Sequence, residues 1–101
     1  DPLYCEGWKG RTMKERQAPF WLYGSGAVQL EVSAPAPTPA VLWVDGVRVG
    51  RTTVSREATL NAELEGEGWH ALVLEVPRLL DTTPPQGLRL ERLGLDLFAG
   101  R

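Results

Sequence analysis

Residues 41–50 read VLWVDGVRVG. Asp45-Gly46 stands between two runs of β-branched and aromatic residues. This is the strongest short-range signal of a two-residue β-hairpin, of type I′ because both turn residues must take positive φ. A two-residue turn fixes the register. Val44 faces Val47, Trp43 faces Arg48, and Leu42 faces Val49. The pleat then puts Leu42, Val44, Val47 and Val49 on one face and Trp43 with Arg48 on the other. An indole opposite a guanidinium suits a cation–π contact.

The same period of two extends outward from this hairpin. Phe20 to Tyr23 reads as a short aromatic strand and Gly24-Ser25-Gly26 as a turn. Val28, Leu30 and Val32 alternate with Gln29 and Glu31, the pattern of a half-buried strand. Three prolines between Ala34 and Pro39 read as an extended connection, because proline cannot donate to a ladder. Ala58, Leu60, Ala62 and Leu64 form a further strand, and Glu65-Gly66-Glu67-Gly68 a polar turn. HALVLEV, residues 70–76, is apolar on both faces and reads as a central strand ended by Pro77. Residues 79–87, with Pro84-Pro85, read as a surface connection. In residues 87–98 the phase of the leucines changes between Leu88/Leu90 and Leu93/Leu95/Leu97, which predicts a β-bulge near Arg92.

Six to eight short strands without a helical pattern predict an all-β antiparallel sandwich, jelly-roll-like. Its expected core is Val28, Leu30, Val32, Leu42, Val44, Val47, Leu60, Leu72, Leu74, Leu90, Leu93 and Leu95. Residues 1–17 mix charge, glycine and aromatics and read as an irregular arm, packed on the core through Leu3, Tyr4 and Trp8. Residues 18–101 are then one sandwich domain.

The chain has 101 residues, enough for one core. Its formal net charge is −2, which removes the electrostatic footprint of a nucleic-acid binder. No apolar run is long enough for a transmembrane helix. One cysteine and one histidine exclude an intrachain disulfide and Cys- or His-rich metal sites, and no cofactor is expected. Fifteen leucines with no isoleucine, and nine arginines against two lysines, read as the codon bias of a GC-rich genome. The chain begins with Asp1, so it reads as processed or as a fragment of a longer protein.

The motifs of nucleophilic, phosphate-binding and metal-dependent enzymes are missing. His70, beside Trp69, reads as a hydrogen-bonded edge residue and not a base. Glu65 and Glu67 read as charges solvating a turn, and Asp45 as turn chemistry. Asp96, between two inward leucines, is expected to face solvent. Cys5 has no adjacent base and reads as a partly buried, inert thiol. The four tryptophans carry more information. Trp21 and Trp69 read as core or edge packing. Trp43, turned away from the main face, is the best candidate for a platform on which a sugar ring stacks. Trp43, Arg48 and Trp8 are the candidate ligand contacts; catalytic and metal residues are not expected.

Gly7-Trp8, Phe20-Trp21, Val44-Asp45-Gly46, Gly68-Trp69-His70, Pro84-Pro85 and Leu93-Gly94-Leu95 occur in an order that resembles galactose-binding-like, jelly-roll β-sandwich modules. Soluble tail domains of bacterial membrane glycosyltransferases are an example. Over residues 40–76, WVDGVRVGRTTV also resembles a PEGA domain, although Thr53 stands where those domains carry proline. Strands outside that span favour the larger sandwich. Neither resemblance supplies catalytic residues. Both imply a non-catalytic extracytoplasmic module, secreted, periplasmic or membrane-tethered, that binds a glycan or a partner protein. The alternative is a purely structural accessory domain of a larger envelope or membrane-associated protein.

Overall fold

A computed structural model describes residues 3, 4 and 6–96, and the side chains of 6–94. Among the described residues there is no helix, and so none that could cross a membrane. Eight strands run in chain order: β1 Leu3–Tyr4, β2 Trp8–Lys9, β3 Thr12–Met13, β4 Gln17–Ser33, β5 Thr38–Val44, β6 Val47–Val54, β7 Glu57–Glu75 and β8 Arg89–Asp96. All pairings are antiparallel. The strand order is β2-β3-β8-β4-β7-β5-β6, with β1 on the free side of β4. The all-β antiparallel architecture agrees with the sequence reading.

Two strands are much longer than expected. β4 spans 17 residues and β7 spans 19, and they pair along nearly their whole length. Gly24-Ser25-Gly26 and Glu65 to Gly68 are therefore not chain reversals. They lie opposite each other and form a corner: Gly24 pairs with Gly68 and Gly26 with Leu64. Between those pairs β4 spends Ser25 alone, while β7 spends Glu65, Gly66 and Glu67. Gly24, Gly26, Gly66 and Gly68 all have positive φ, from 79° to 146°. Glycine reaches these angles without steric cost, which lets both strands bend together. Beyond the corner, β8 joins β4; before it, β1 and β5 flank the pair. The sheet thus folds onto itself as a sandwich. β6, at one end of the strand order, meets β7 beyond the corner: a Cβ placed on Gly50 would come within 3.6 Å of Leu60 Cδ2.

The corner preserves phase. Ala18, Phe20, Leu22, Val28, Leu30 and Val32 of β4 are buried, as are Leu60, Leu64, His70, Leu72 and Leu74 of β7. Every inward residue is even-numbered on both strands. Leu42, Val44 and Leu90 are buried as the periodicity predicts, and Leu93 is partly buried against the core. The bulge expected near Arg92 is present: Glu31 pairs with Arg92 and Val32 with Leu90, so Glu91 is the extra residue. Leu95, Leu97 and Asp96 lie outside the described side chains, as do Leu3, Tyr4 and Cys5.

Two expectations fail at β6. Val44 pairs with Val47 and Trp43 with Arg48, and Asp45 and Gly46 have φ of 49° and 82°, as a type I′ turn requires. The next pair is Leu42 with Gly50. Val49 is a bulged residue, and Val47 and Val49 are both exposed, outside the core. The bulge twists the end of the hairpin away from the inner face. The N-terminal stretch is also more regular than an irregular arm. β2 and β3 form a hairpin, and Thr12 pairs with Arg89 at the margin of the sheet. Met13 is fully buried, and Trp8 stacks edge-on against Phe20 at 5.9 Å and donates its indole N–H to the Pro19 carbonyl.

The corner yields a stability prediction. A Cβ on Gly68 would meet nothing within 4 Å, so Gly68→Ala isolates the cost of holding φ at 146°. It is expected to cost about 1–3 kcal/mol in urea unfolding. Gly94→Ala, equally open and without positive φ, is expected to cost less than about 0.5 kcal/mol.

Candidate functional site

Because even positions fill the interior, odd positions of β4 and β7 point outward. On the half of the sheet before the corner they form a broad apolar face. Along it, Trp21 pairs with Ala71, Tyr23 with Trp69, and Pro19 with Val73. β5 and β6 extend the face sideways: Val73 pairs with Trp43, which pairs with Arg48, and Glu75 pairs with Val41, which pairs with Arg51. Trp21 is 40% exposed, Trp69 53% and Tyr23 57%. No layer among the described residues covers them. Trp21 and Trp69 are thus surface residues, against the core and edge packing expected from sequence. Tyr23 and Trp69 pack edge to face, with centroids 5.4 Å apart and planes at 79°. Two rings locked this way hold each other's orientation at little further entropic cost.

Trp43 is half-buried on this face. Its indole N–H donates to Glu75 Oε1 at 2.9 Å, and Gln17 Nε2 donates to Glu75 Oε2 at 2.8 Å. These two hydrogen bonds, Gln17's being the stronger influence, hold the Glu75 carboxyl below its ordinary pKa, with a further contribution from Arg16. Glu75 is therefore ionised at neutral pH, with both oxygens engaged. An open groove of about 620 Å³ lies beside it, lined among others by Val41, Pro39, Arg16, Arg48 and Arg51. Of the three sequence candidates, Arg48 lines this groove, and Trp43 stands beside it as the cross-strand partner of Arg48 and the hydrogen-bond donor to Glu75. Trp8 lies elsewhere: at 7% exposure it belongs to the core and staples β2 onto β4.

The sequence reading missed Trp21, Tyr23, Trp69, Glu75, Gln17 and Arg51. Phase continuity would have found the aromatic set. Carrying the even phase of Val28, Leu30 and Val32 back through the glycines turns Phe20 and Leu22 inward and Trp21 and Tyr23 outward.

His70 and Asp45 form the one ion pair of a buried residue among the described residues. His70 Nδ1 lies 2.6 Å from Asp45 Oδ2, and its Nε2 lies 2.6 Å from the Gly66 carbonyl. Both partners are acceptors, so both contacts are hydrogen bonds when both ring nitrogens carry protons, the cationic form that the raised pKa favours. The Asp45 carboxylate is the chief cause of its raised pKa; burial opposes the shift, and the Gly66 carbonyl adds to it. An imidazole with both nitrogens engaged has no lone pair to act as a base. Asp45 Oδ1 also accepts the Ala71 N–H at 2.9 Å, and the Asp45 N–H donates to the Ala71 carbonyl. The hairpin turn is thereby clipped to the corner beside the aromatic face. Among the described residues no group of three or more His, Cys, Asp or Glu side chains converges as a metal site would require.

No model of a known protein family matches the chain, and no curated protein matches it. Solved structures do. A family two carbohydrate esterase from Clostridium thermocellum, in complex with cellohexaose, is similar over 95% of this chain at 17% identity and a TM-score of 0.59. This chain spans 31% of that esterase. A carbohydrate-binding module, CBM36, in complex with calcium and xylotriose, is similar over 94% of this chain and 78% of its own, at 10% identity and a TM-score of 0.51. The likeness shows the fold, an all-β antiparallel jelly-roll sandwich.

Two predictions follow from the polar contacts. Trp43→Ala removes a half-buried ring and one hydrogen bond to Glu75, and is expected to cost about 2 kcal/mol in chemical denaturation. The His70–Asp45 pair makes stability depend on pH. His70 is raised above 6.5, so its contribution is complete below pH 6.5 and is lost as pH rises through the folded pKa. Asp45 is lowered below 3.8, chiefly by His70, so its contribution is present above pH 3.8 and is lost on acidification. The difference in melting temperature between the native chain and His70→Gln is therefore expected to be greatest between about pH 4 and 6.5, and to shrink above that window.

Proposed function

We propose that the chain is a non-catalytic carbohydrate-binding module whose ligand lies across the outer aromatic face. The observation that carries this reading is the exposure of Trp21, Tyr23 and Trp69 together on one uncovered, rigid sheet surface. Isolated exposed hydrophobes are ordinary, but three large aromatics sharing one face are not. Indole and phenol faces suit the axial C–H groups of a pyranose ring, while the Glu75–Gln17 pair and the neighbouring arginines offer polar contacts to hydroxyls. The cellohexaose and xylotriose bound to the two structural neighbours support the same ligand class.

A module of this kind meets polymeric glycan outside the cytoplasm, as a secreted, periplasmic or membrane-tethered unit. It serves a larger protein by holding it on the polymer. Trp43 remains a contact in this reading, at the inner margin of the platform, with Arg48 beside it.

Tryptophan emission reports the encounter directly, since Trp21 and Trp69 are both exposed. Titration with a panel of neutral and acidic oligosaccharides is expected to shift the emission to the blue for at least one of them. Trp21→Ala and Trp69→Ala are each expected to weaken that binding at least tenfold, with melting temperatures lowered by no more than a few degrees. An unchanged spectrum with every oligosaccharide at millimolar concentration would sink the glycan reading and leave the structural accessory role.

A further inference from the structure

Taking the glycan reading as its base, we infer that the ligand is an acidic glycan, whose carboxylates are received by Arg48 and Arg51 at the β6 side of the aromatic face. Arg48 is the cross-strand partner of Trp43, and Arg51 of Val41. Both arginines therefore rise from the same face as the platform, and both line the groove beside Glu75. Both are exposed, and among the described residues neither side chain forms a hydrogen bond or ion pair.

The other charges of the groove do not cancel them. Glu75 keeps its negative charge, and Arg16, which also lines the groove, offsets it. Glu15, the second acidic residue at the groove, precedes β4, and β4 is separated from β6 by β7 and β5. At about 4.8 Å per strand, the start of β4 at Gln17 lies roughly 14 Å across the face from Arg51. A local excess of positive charge thus stands at one margin of the groove, on a chain whose net charge is −2. Overall charge does not draw polyanions to this protein, so the attraction is confined to the groove.

The chemistry of that margin is specific. A guanidinium presents a planar fork that matches a carboxylate with two parallel hydrogen bonds, and it costs less to desolvate than an ammonium. A uronic acid carries a carboxylate in the plane of its ring. A ring resting on the Trp43 side of the face would aim that carboxylate toward β6. A neutral hexose or pentose offers the forks hydroxyl oxygens but no carboxylate to take two parallel hydrogen bonds.

The test compares ligands that differ only in charge. Tetragalacturonate and its fully methyl-esterified form share rings, length and linkage. Titrated calorimetrically against the intact chain, the free acid is expected to bind at least tenfold more tightly than the ester. Raising salt from 50 to 500 mM is expected to narrow that gap. The double variant Arg48→Gln/Arg51→Gln is expected to weaken binding of the free acid at least tenfold and of the ester by much less, so that the preference is lost. Equal affinities for acid and ester, with no effect of the double variant, would overturn the inference and leave the glycan reading intact. Failure of acid, ester and neutral xylo- and cello-oligosaccharides alike would remove both. Binding of dextran sulfate that exceeds the uronate and survives Trp21→Ala and Trp69→Ala would also overturn it, by identifying a general polyanion surface.

Discussion

The pairing of β4 with β7 is the constraint on which the other features depend. These two strands supply half of the buried hydrophobic core, they carry the corner that folds the sheet, and β1, β5 and β8 each pair directly with one of them. Side chains alternate strictly across a sheet, so the phase of this one pair decides what is interior and what is surface over more than a third of the chain. The corner at Gly24–Gly26 and Gly66–Gly68 turns the strands without changing that phase. Phe20 and Leu72 are committed inward by the same alternation that commits Val28 and Leu60, and Trp21, Tyr23 and Trp69 are committed outward.

Electrostatics reinforces this geometry at a single place. The His70 imidazolium lies inside the corner and bridges the Asp45 carboxylate to the Gly66 carbonyl. It joins the hairpin turn, the bend of β7 and the margin of the aromatic face. A rigid platform costs a ligand less to bind, because the rings need not be ordered at the moment of contact. The Glu75 carboxylate does the same for Trp43, holding the indole by its N–H and leaving its ring on the outer face.

Much of this was legible in the sequence. The Asp45-Gly46 turn, the Trp43–Arg48 pairing, the bulge beside Arg92 and the inward Val28, Leu30, Val32, Leu72 and Leu74 all follow from local rules. The remainder was hidden for physical reasons. Glycine clusters announce a change of direction but not its kind, so a corner inside one strand pair looks the same as two hairpin turns. Residues 18–23 are apolar in both phases, which left Trp21 free to be read as core until its strand was joined to the one beginning at Ala27. The bulge at Val49 lies beside the point where β6 meets Leu60, a tertiary contact that the hairpin's own residues do not announce. The Asp45–His70 pair is likewise a product of the tertiary fold; each residue alone looked fully explained by its own neighbourhood.

Hydroxyl-radical footprinting of the folded chain, read residue by residue by mass spectrometry, tests the central claim most directly. If the β4–β7 phase sets the surface, Trp21, Tyr23 and Trp69 are oxidised rapidly, Trp43 more slowly, and Trp8 and Phe20 hardly at all. Rapid oxidation of Trp8 and Phe20 with protection of Trp21 and Trp69 would mean that the opposite face is buried, and the account of the platform would be wrong.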